Sequence, residues 1–188
     1  MDVWSSSMEN TTKRGKKYLL DILIMKCPAC ENKLTQYKAS GIKVEICCGC
    51  CGGIWFPFSQ TKKLAQLKPG SGSELLITNN ADGVKTYRNS EHPCPNCKTT
   101  LLYRHFFSRK YDTEVNQCSK CGGFWIDLGG LTEILISREK NKIDLIENYF
   151  TSIKKEKISN MNLANQEIAD TAKLINVIFN FLRPNQNI

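Results

Sequence analysis

Apolar and polar residues alternate through Ile42-Lys43-Val44-Glu45-Ile46, the pattern of a strand with one buried face. Gly41 just before it fits a hairpin turn. Further along, Leu101–Phe107 and Thr113–Asn116 read as a second pair of strands joined around Ser108–Asp112. After each strand region the period lengthens, and Phe58–Leu67 and Asp127–Ser137 read as short helices. In the later one Leu128, Leu131, Ile134 and Leu135 fall at helical spacing, with Asp127 as N-cap. From Arg138 the chain has no glycine, and its apolar positions recur every three or four residues. Ile143, Ile146, Phe150 and Ile153 form one run; Ile168, Ala172, Ile175, Phe179 and Leu182 form another after a break near Ser159–Asn162. Each covers about two heptads, short of the ~3–4 that argue a coiled coil. Two amphipathic helices are expected, packed as a hairpin on the rest of the chain or on another subunit.

Cysteine repeats with these elements. Cys27-Pro28-Ala29-Cys30 precedes the first strand region, and Cys94-Pro95-Asn96-Cys97 precedes the second. Behind them come Cys48-Gly49-Cys50-Cys51-Gly52-Gly53-Ile54-Trp55 and Cys118-Ser119-Lys120-Cys121-Gly122-Gly123-Phe124-Trp125, both reading C-x-x-C-G-G-x-W. Paired C-x-x-C motifs across a short spacer, present twice, are the signature of tetrahedral metal sites. The first copy allows two registers, because Cys47 and Cys50 are equally spaced. Aligning C-G-G-x-W between copies selects Cys48 and Cys51. The expected ligands are therefore Cys27, Cys30, Cys48 and Cys51 at one site and Cys94, Cys97, Cys118 and Cys121 at the other, leaving Cys47 and Cys50 spare. Four thiolates suit Zn2+, two ions per chain, with iron as the rival. The two glycines let the backbone leave the metal without a Cβ in the way. Trp55 and Trp125 read as the plug of each repeat's own small core.

Length and charge refine this picture. Units of this size rarely bury enough surface to fold unaided, and metals or disulfides make up the deficit. The disulfide route needs an oxidising compartment. Lys13, Arg14, Lys16 and Lys17 precede an apolar run, but it is short, interrupted by Asp21, and followed by no small-residue cleavage site. A reduced, cytoplasmic protein without a membrane span is expected. The formal net charge is +8. Each four-thiolate zinc site carries −2, so two of them lower the total to about +4. Between the two repeats the excess falls in the first, about +2 against 0 for the second, at Lys33, Lys38, Lys43, Lys62, Lys63 and Lys68.

Enzymatic readings find little support. A zinc deaminase needs H-x-E ahead of P-C-x-x-C, and neither His92 nor His105, the only histidines, begins one. A thioredoxin-like centre would not explain the matching C-x-x-C-G-G, and no βαβ pattern surrounds it. A closed four-cysteine site also has no open position for water or substrate. Both histidines are expected to be surface or packing residues.

Both units resemble the TFIIB-type (transcription factor) zinc-finger family, whose motif runs C-P-x-C, a spacer, then C-x-x-C-G-G-x-W-[LI]-D-x-G-E-L. The second copy matches through Cys94, Pro95, Cys97, Cys118, Cys121, Gly122, Gly123, Trp125, Ile126, Asp127, Gly129 and Leu131. The first departs after Trp55, with Pro57 where the aspartate belongs. The resemblance implies zinc binding on a ribbon fold. The expectation is a small, metal-stabilised α+β chain: an N-terminal extension (1–24), zinc ribbon 1 (25–67), a flexible Pro69–Ser73 linker with a strand near Glu74–Thr78 (68–91), zinc ribbon 2 (92–137) and a helical tail (138–188). The ribbons are β-hairpins, each followed by a short helix. Residues 1–17 read as disordered, and Tyr18–Lys26 as a strand or helix against ribbon 1. The expected function is a non-enzymatic interaction module with nucleic acid or a transcription-related protein as partner and no small-molecule substrate. A second reading is a protein–protein adaptor that works, or self-associates, through the tail. A third is a thiol or metal sensor using Cys47 and Cys50.

Overall fold

In the first repeat the alternating run does become a strand. The computed structural model describes residues 24–77, 91–108, 113–127 and 162–183. Strand β1 (Thr35–Ala39) pairs antiparallel with β2 (Ile42–Ile46), with Ala39 opposite Ile42. Only Ser40 and Gly41 lie between them, at φ 46° and 83°. Two left-handed residues give a turn whose twist matches that of the hairpin it closes. Strand β3 (Ile54–Phe56) adds antiparallel to β2. The second repeat builds the same meander from β4 (Leu102–Ser108), β5 (Thr113–Cys118) and β6 (Phe124–Asp127), with a bulge between Arg104 and Phe106.

The two meanders are one sheet. β3 and β6 pair antiparallel, Trp55 opposite Trp125, and the strand order is β1-β2-β3-β6-β5-β4. The repeats are thus related by a pseudo-twofold axis through the tryptophan pair. Strand alternation then sorts the side chains. Ile42, Val44, Ile46, Ile54, Phe56, Val115, Phe124 and Ile126 line one face, all essentially inaccessible. Trp55 and Trp125 stand on the other face, among the cysteines.

Helices cover the first face. Helix α1 (Phe58–Leu64) follows β3 and buries Thr61 and Leu64; the longer helix expected to Leu67 stops short. Helix α2 (Asn162–Leu182) lays Ile175, Ile178, Phe179, Phe181 and Leu182 on the same core. Phe181 meets Phe56 edge to face, with ring centroids 6.3 Å apart. Of the stripe expected on this helix, Ile175, Phe179 and Leu182 are buried and Ala172 is partly so, which leaves this part of the apolar face consumed within the chain; the Ile168 side chain lies outside what is described.

The stretch expected to be a flexible linker is docked instead. The amides of Gly70 and Gly72 donate to the carbonyls of Asn180 and Phe181 at the end of α2, both at 2.8 Å. A Cβ on Gly72 would lie 2.2 Å from the Phe181 ring, so glycine here permits contact, not freedom. Ser73–Ile77 forms a 3-10 turn where a strand was expected, with Leu75 in the core. Of the Tyr18–Lys26 segment expected as a strand or helix, residues 24–26 are described and form neither, apart from a single antiparallel bridge between Lys26 and Lys33. Its earlier part, residues 1–17, the helix after Asp127 and the earlier of the two tail helices lie outside the described residues.

The glycine–tryptophan motif has a different purpose from the one read in sequence. Gly53 lies against Trp125, where an added Cβ would stand 2.1 Å from Cζ2. Gly123 lies against Trp55 in the same way, at 2.3 Å. Each tryptophan is 1% exposed or less, and each fills a space that the other repeat's glycine leaves open. The plug is exchanged between ribbons.

Candidate metal centres

Each centre is built from two loops held by backbone hydrogen bonds, and the loops correspond between repeats. In the C-P-x-C turns, Glu31 N donates to Cys27 O (2.9 Å) and Lys98 N to Cys94 O (2.8 Å). Glu31 and Lys98 occupy the same left-handed conformation, at φ 62° and 63°. In the second loops, Cys118 N donates to Gly123 O (3.0 Å) and Gly122 N to Cys118 O (2.9 Å). The residue making this pair of bonds in the first repeat is Cys47, with Gly53 O (3.0 Å) and Gly52 N (3.2 Å). Cys47, directly after β2, is therefore the counterpart of Cys118.

This corrects the ligand register. The sulfurs of Cys27, Cys30, Cys47 and Cys51 lie within 4.8 Å of one another, and so do those of Cys94, Cys97, Cys118 and Cys121. Cys48, the expected member, is exposed on the surface while Cys47 is buried. The first loop is one residue longer than the second, and Gly49 at φ 67° helps the chain turn through it. Motif alignment placed the extra residue before Cys48, whereas it lies inside the loop. Strand parity could have found Cys47: Ile42, Val44 and Ile46 face the helices, so the next residue faces the sulfurs.

The donor sets fit a metal. Four sulfurs about 2.3 Å from a central ion are roughly 3.8 Å from one another. In the second centre Cys94–Cys121 and Cys97–Cys118 are 3.7 and 3.9 Å apart. In the first, Cys27–Cys51 and Cys30–Cys47 are both 3.4 Å and Cys30–Cys51 is 3.7 Å. Crowded thiols also divide their protons unequally. Hydrogen bonds from the Cys27 and Cys47 thiols hold Cys51 down to about 5, while Cys27, as donor to Cys47 and Cys51, is pushed far up. Burial raises Cys118, but hydrogen bonds from the backbone N–H groups of Cys121 and Lys120 outweigh it and hold the thiol below its usual range. Backbone amides already aimed at sulfur are what a thiolate ligand requires.

Between the centres the repeats are tied by polar groups. His92 is buried, and its ring hydrogen-bonds the Pro28 backbone of the other repeat. Its Nε2 has no hydrogen-bond partner and lies 3.7 Å from Glu114 Oε1. Buried Glu114 also accepts from Asn116 Nδ2 (2.9 Å) and pairs with Arg104 at 3.0 Å. His105 contacts Gln117 and lies edge-on to Tyr103, with centroids 4.6 Å apart. Burial lowers the pKa of both histidines.

A pseudo-symmetric pair of meanders, each closing four cysteines round one point, has the arrangement of a tandem metal-binding ribbon. The comparison with protein families is consistent with this: the model described as "Transcription factor zinc-finger" matches twice, at residues 26–66 and again at 93–137, so each of these two segments is similar to the TFIIB-type zinc finger. No curated protein and no solved structure matches the chain.

Proposed function

We propose that this chain is a zinc-stabilised, non-enzymatic module that contacts nucleic acid through its first repeat. The zinc reading rests on two closed sets of four sulfurs, which leave no ligand position for substrate. Zinc, being indifferent to d-electron geometry, suits a purely structural tetrahedron, and the sites would hold the fold together from inside. One observation carries the partner reading. Lys38 and Lys43 lie directly opposite each other on the β1–β2 hairpin, both exposed. Like charges in that position cost stability. A polyanion would offset the cost. Lys62 and Lys63 in the last turn of α1 add exposed positive charge in the same repeat.

The adaptor reading through the tail is less well supported, because α2 spends its apolar face on the chain's own sheet. No helix among the described residues is long and apolar enough to cross a membrane. The test is a salt titration of binding to single- and double-stranded DNA and RNA. Replacing Lys38 and Lys43 by alanine should weaken binding irrespective of sequence and make the log–log salt slope shallower by roughly 1.4–1.8. No binding at low salt refutes the nucleic-acid reading.

A further inference from the structure

The first centre has a fifth sulfur. Cys50 Sγ lies 3.3 Å from Cys30 Sγ, just outside the group of four. Asn32 Nδ2 reaches both, donating to Cys50 Sγ at 2.8 Å and to Cys30 Sγ at 3.5 Å. The second centre has no such companion: Ser119 and Lys120 stand between Cys118 and Cys121, and Thr99 follows the C-P-x-C turn where Asn32 does. There the Thr99 hydroxyl donates to the Cys97 carbonyl, not to sulfur. The extra residue that lengthens the first loop is thus coupled to a fifth thiol packed against a ligand.

We propose that Cys50 is a reserve ligand of the first metal centre, taking the place of Cys30 when Cys30 is removed. This rests on the reading of both clusters as zinc sites. A d10 ion imposes no geometry of its own, so a thiolate a short distance away can complete the tetrahedron. The loop has room to move, since a Cβ at Gly49 would meet no atom within 4 Å. Exchange at Cys30 is favoured over the other positions because Cys50 touches that sulfur. Cys30 is also only partly buried, whereas Cys27, Cys47 and Cys51 are enclosed. The first centre is therefore tolerant of losing a ligand and the second is not.

The two repeats supply each other's control. Zinc content per chain is measured for wild type, Cys30→Ser, Cys97→Ser and the double variant Cys30→Ser/Cys50→Ser. Cobalt replacement reports the number of thiolates through the sulfur-to-metal charge-transfer band. The expected contents are two ions for wild type, two for Cys30→Ser with its charge-transfer intensity retained, one for Cys97→Ser and one for the double variant. A Cys30→Ser chain that holds one ion or fails to fold overturns the proposal, as does a double variant that keeps two. Retention of two by Cys97→Ser overturns it as well, because tolerance would then need no fifth thiol. Fewer than two ions in wild type brings down the zinc reading itself, and the reserve ligand with it.

Discussion

Replacing Gly123 with alanine tests whether the glycine–tryptophan motif is there to join the ribbons. Gly123 has no left-handed backbone requirement, so the substitution costs nothing through φ. What the methyl meets is the Trp55 indole, at 2.3 Å from Cζ2, 2.7 Å from Cη2 and 3.0 Å from Cε2. All three fall inside van der Waals contact. Trp55 is 1% exposed and sits in a strand at the centre of the sheet, so its ring cannot swing into solvent. Overpacking of this kind costs about 1–3 kcal/mol. In a chain of 188 residues each kcal/mol moves the thermal midpoint by about 2–4 °C. Thermal unfolding of the metal-loaded chain, followed by circular dichroism, should therefore show a fall of at least about 2 °C. The mechanism is isolated by repeating the substitution in a Trp55→Leu background. There the methyl enters vacated space, and Gly123→Ala should become nearly neutral, a coupling of about 1–3 kcal/mol. An equal cost in both backgrounds, or no cost in either, would refute the exchanged-plug account.

Other outcomes follow from the same packing. Phe181→Ala removes the ring that sits between Phe56 and Gly72 and should cost about 3–5 kcal/mol in denaturant unfolding; a loss below about 1 kcal/mol would mean that α2 is not part of the core. Stability should also fall in mild acid. Burial lowers the pKa of His92 and His105 below the ordinary 6.5, so between 6.5 and the lowered values the unfolded chain binds protons that the folded chain refuses. Their contribution is complete above pH 6.5 and is lost as pH drops through that window. His92→Gln should flatten the decline relative to wild type, and an unchanged slope in paired denaturant titrations would show that His92 is not responsible.

The local elements were legible where one rule decides them. The Ile42–Ile46 alternation and the Ser40-Gly41 turn emerge as expected, because a strand with one buried face has to alternate. The eight-cysteine pattern located both centres, since clustering four sulfurs demands two close pairs. The register failed at Cys47 because aligned motifs carry no information about a loop insertion, whereas the strand feeding the loop does. Long-range facts were hidden for a different reason. Nothing local to Gly53 or Gly123 says that the ring pressing on it comes from about 70 residues away in the chain. Pro69–Ser73 has a linker's composition, yet its glycines are needed because α2 passes close by. His92 looked like a packing residue and is one, but its contacts across the repeat boundary depend on the β3–β6 pairing.

The central claim is that two ions sit behind one continuous sheet, with Cys47 holding the first and Cys48 left outside. Native mass spectrometry after brief alkylation of the metal-loaded chain addresses both halves at once, the intact mass counting ions and peptide mapping locating the label. Two zinc ions per chain are expected, with rapid labelling at exposed Cys48 and protection of Cys47 that a chelator abolishes. One ion or none, or label on Cys47 with Cys48 protected, would contradict that claim.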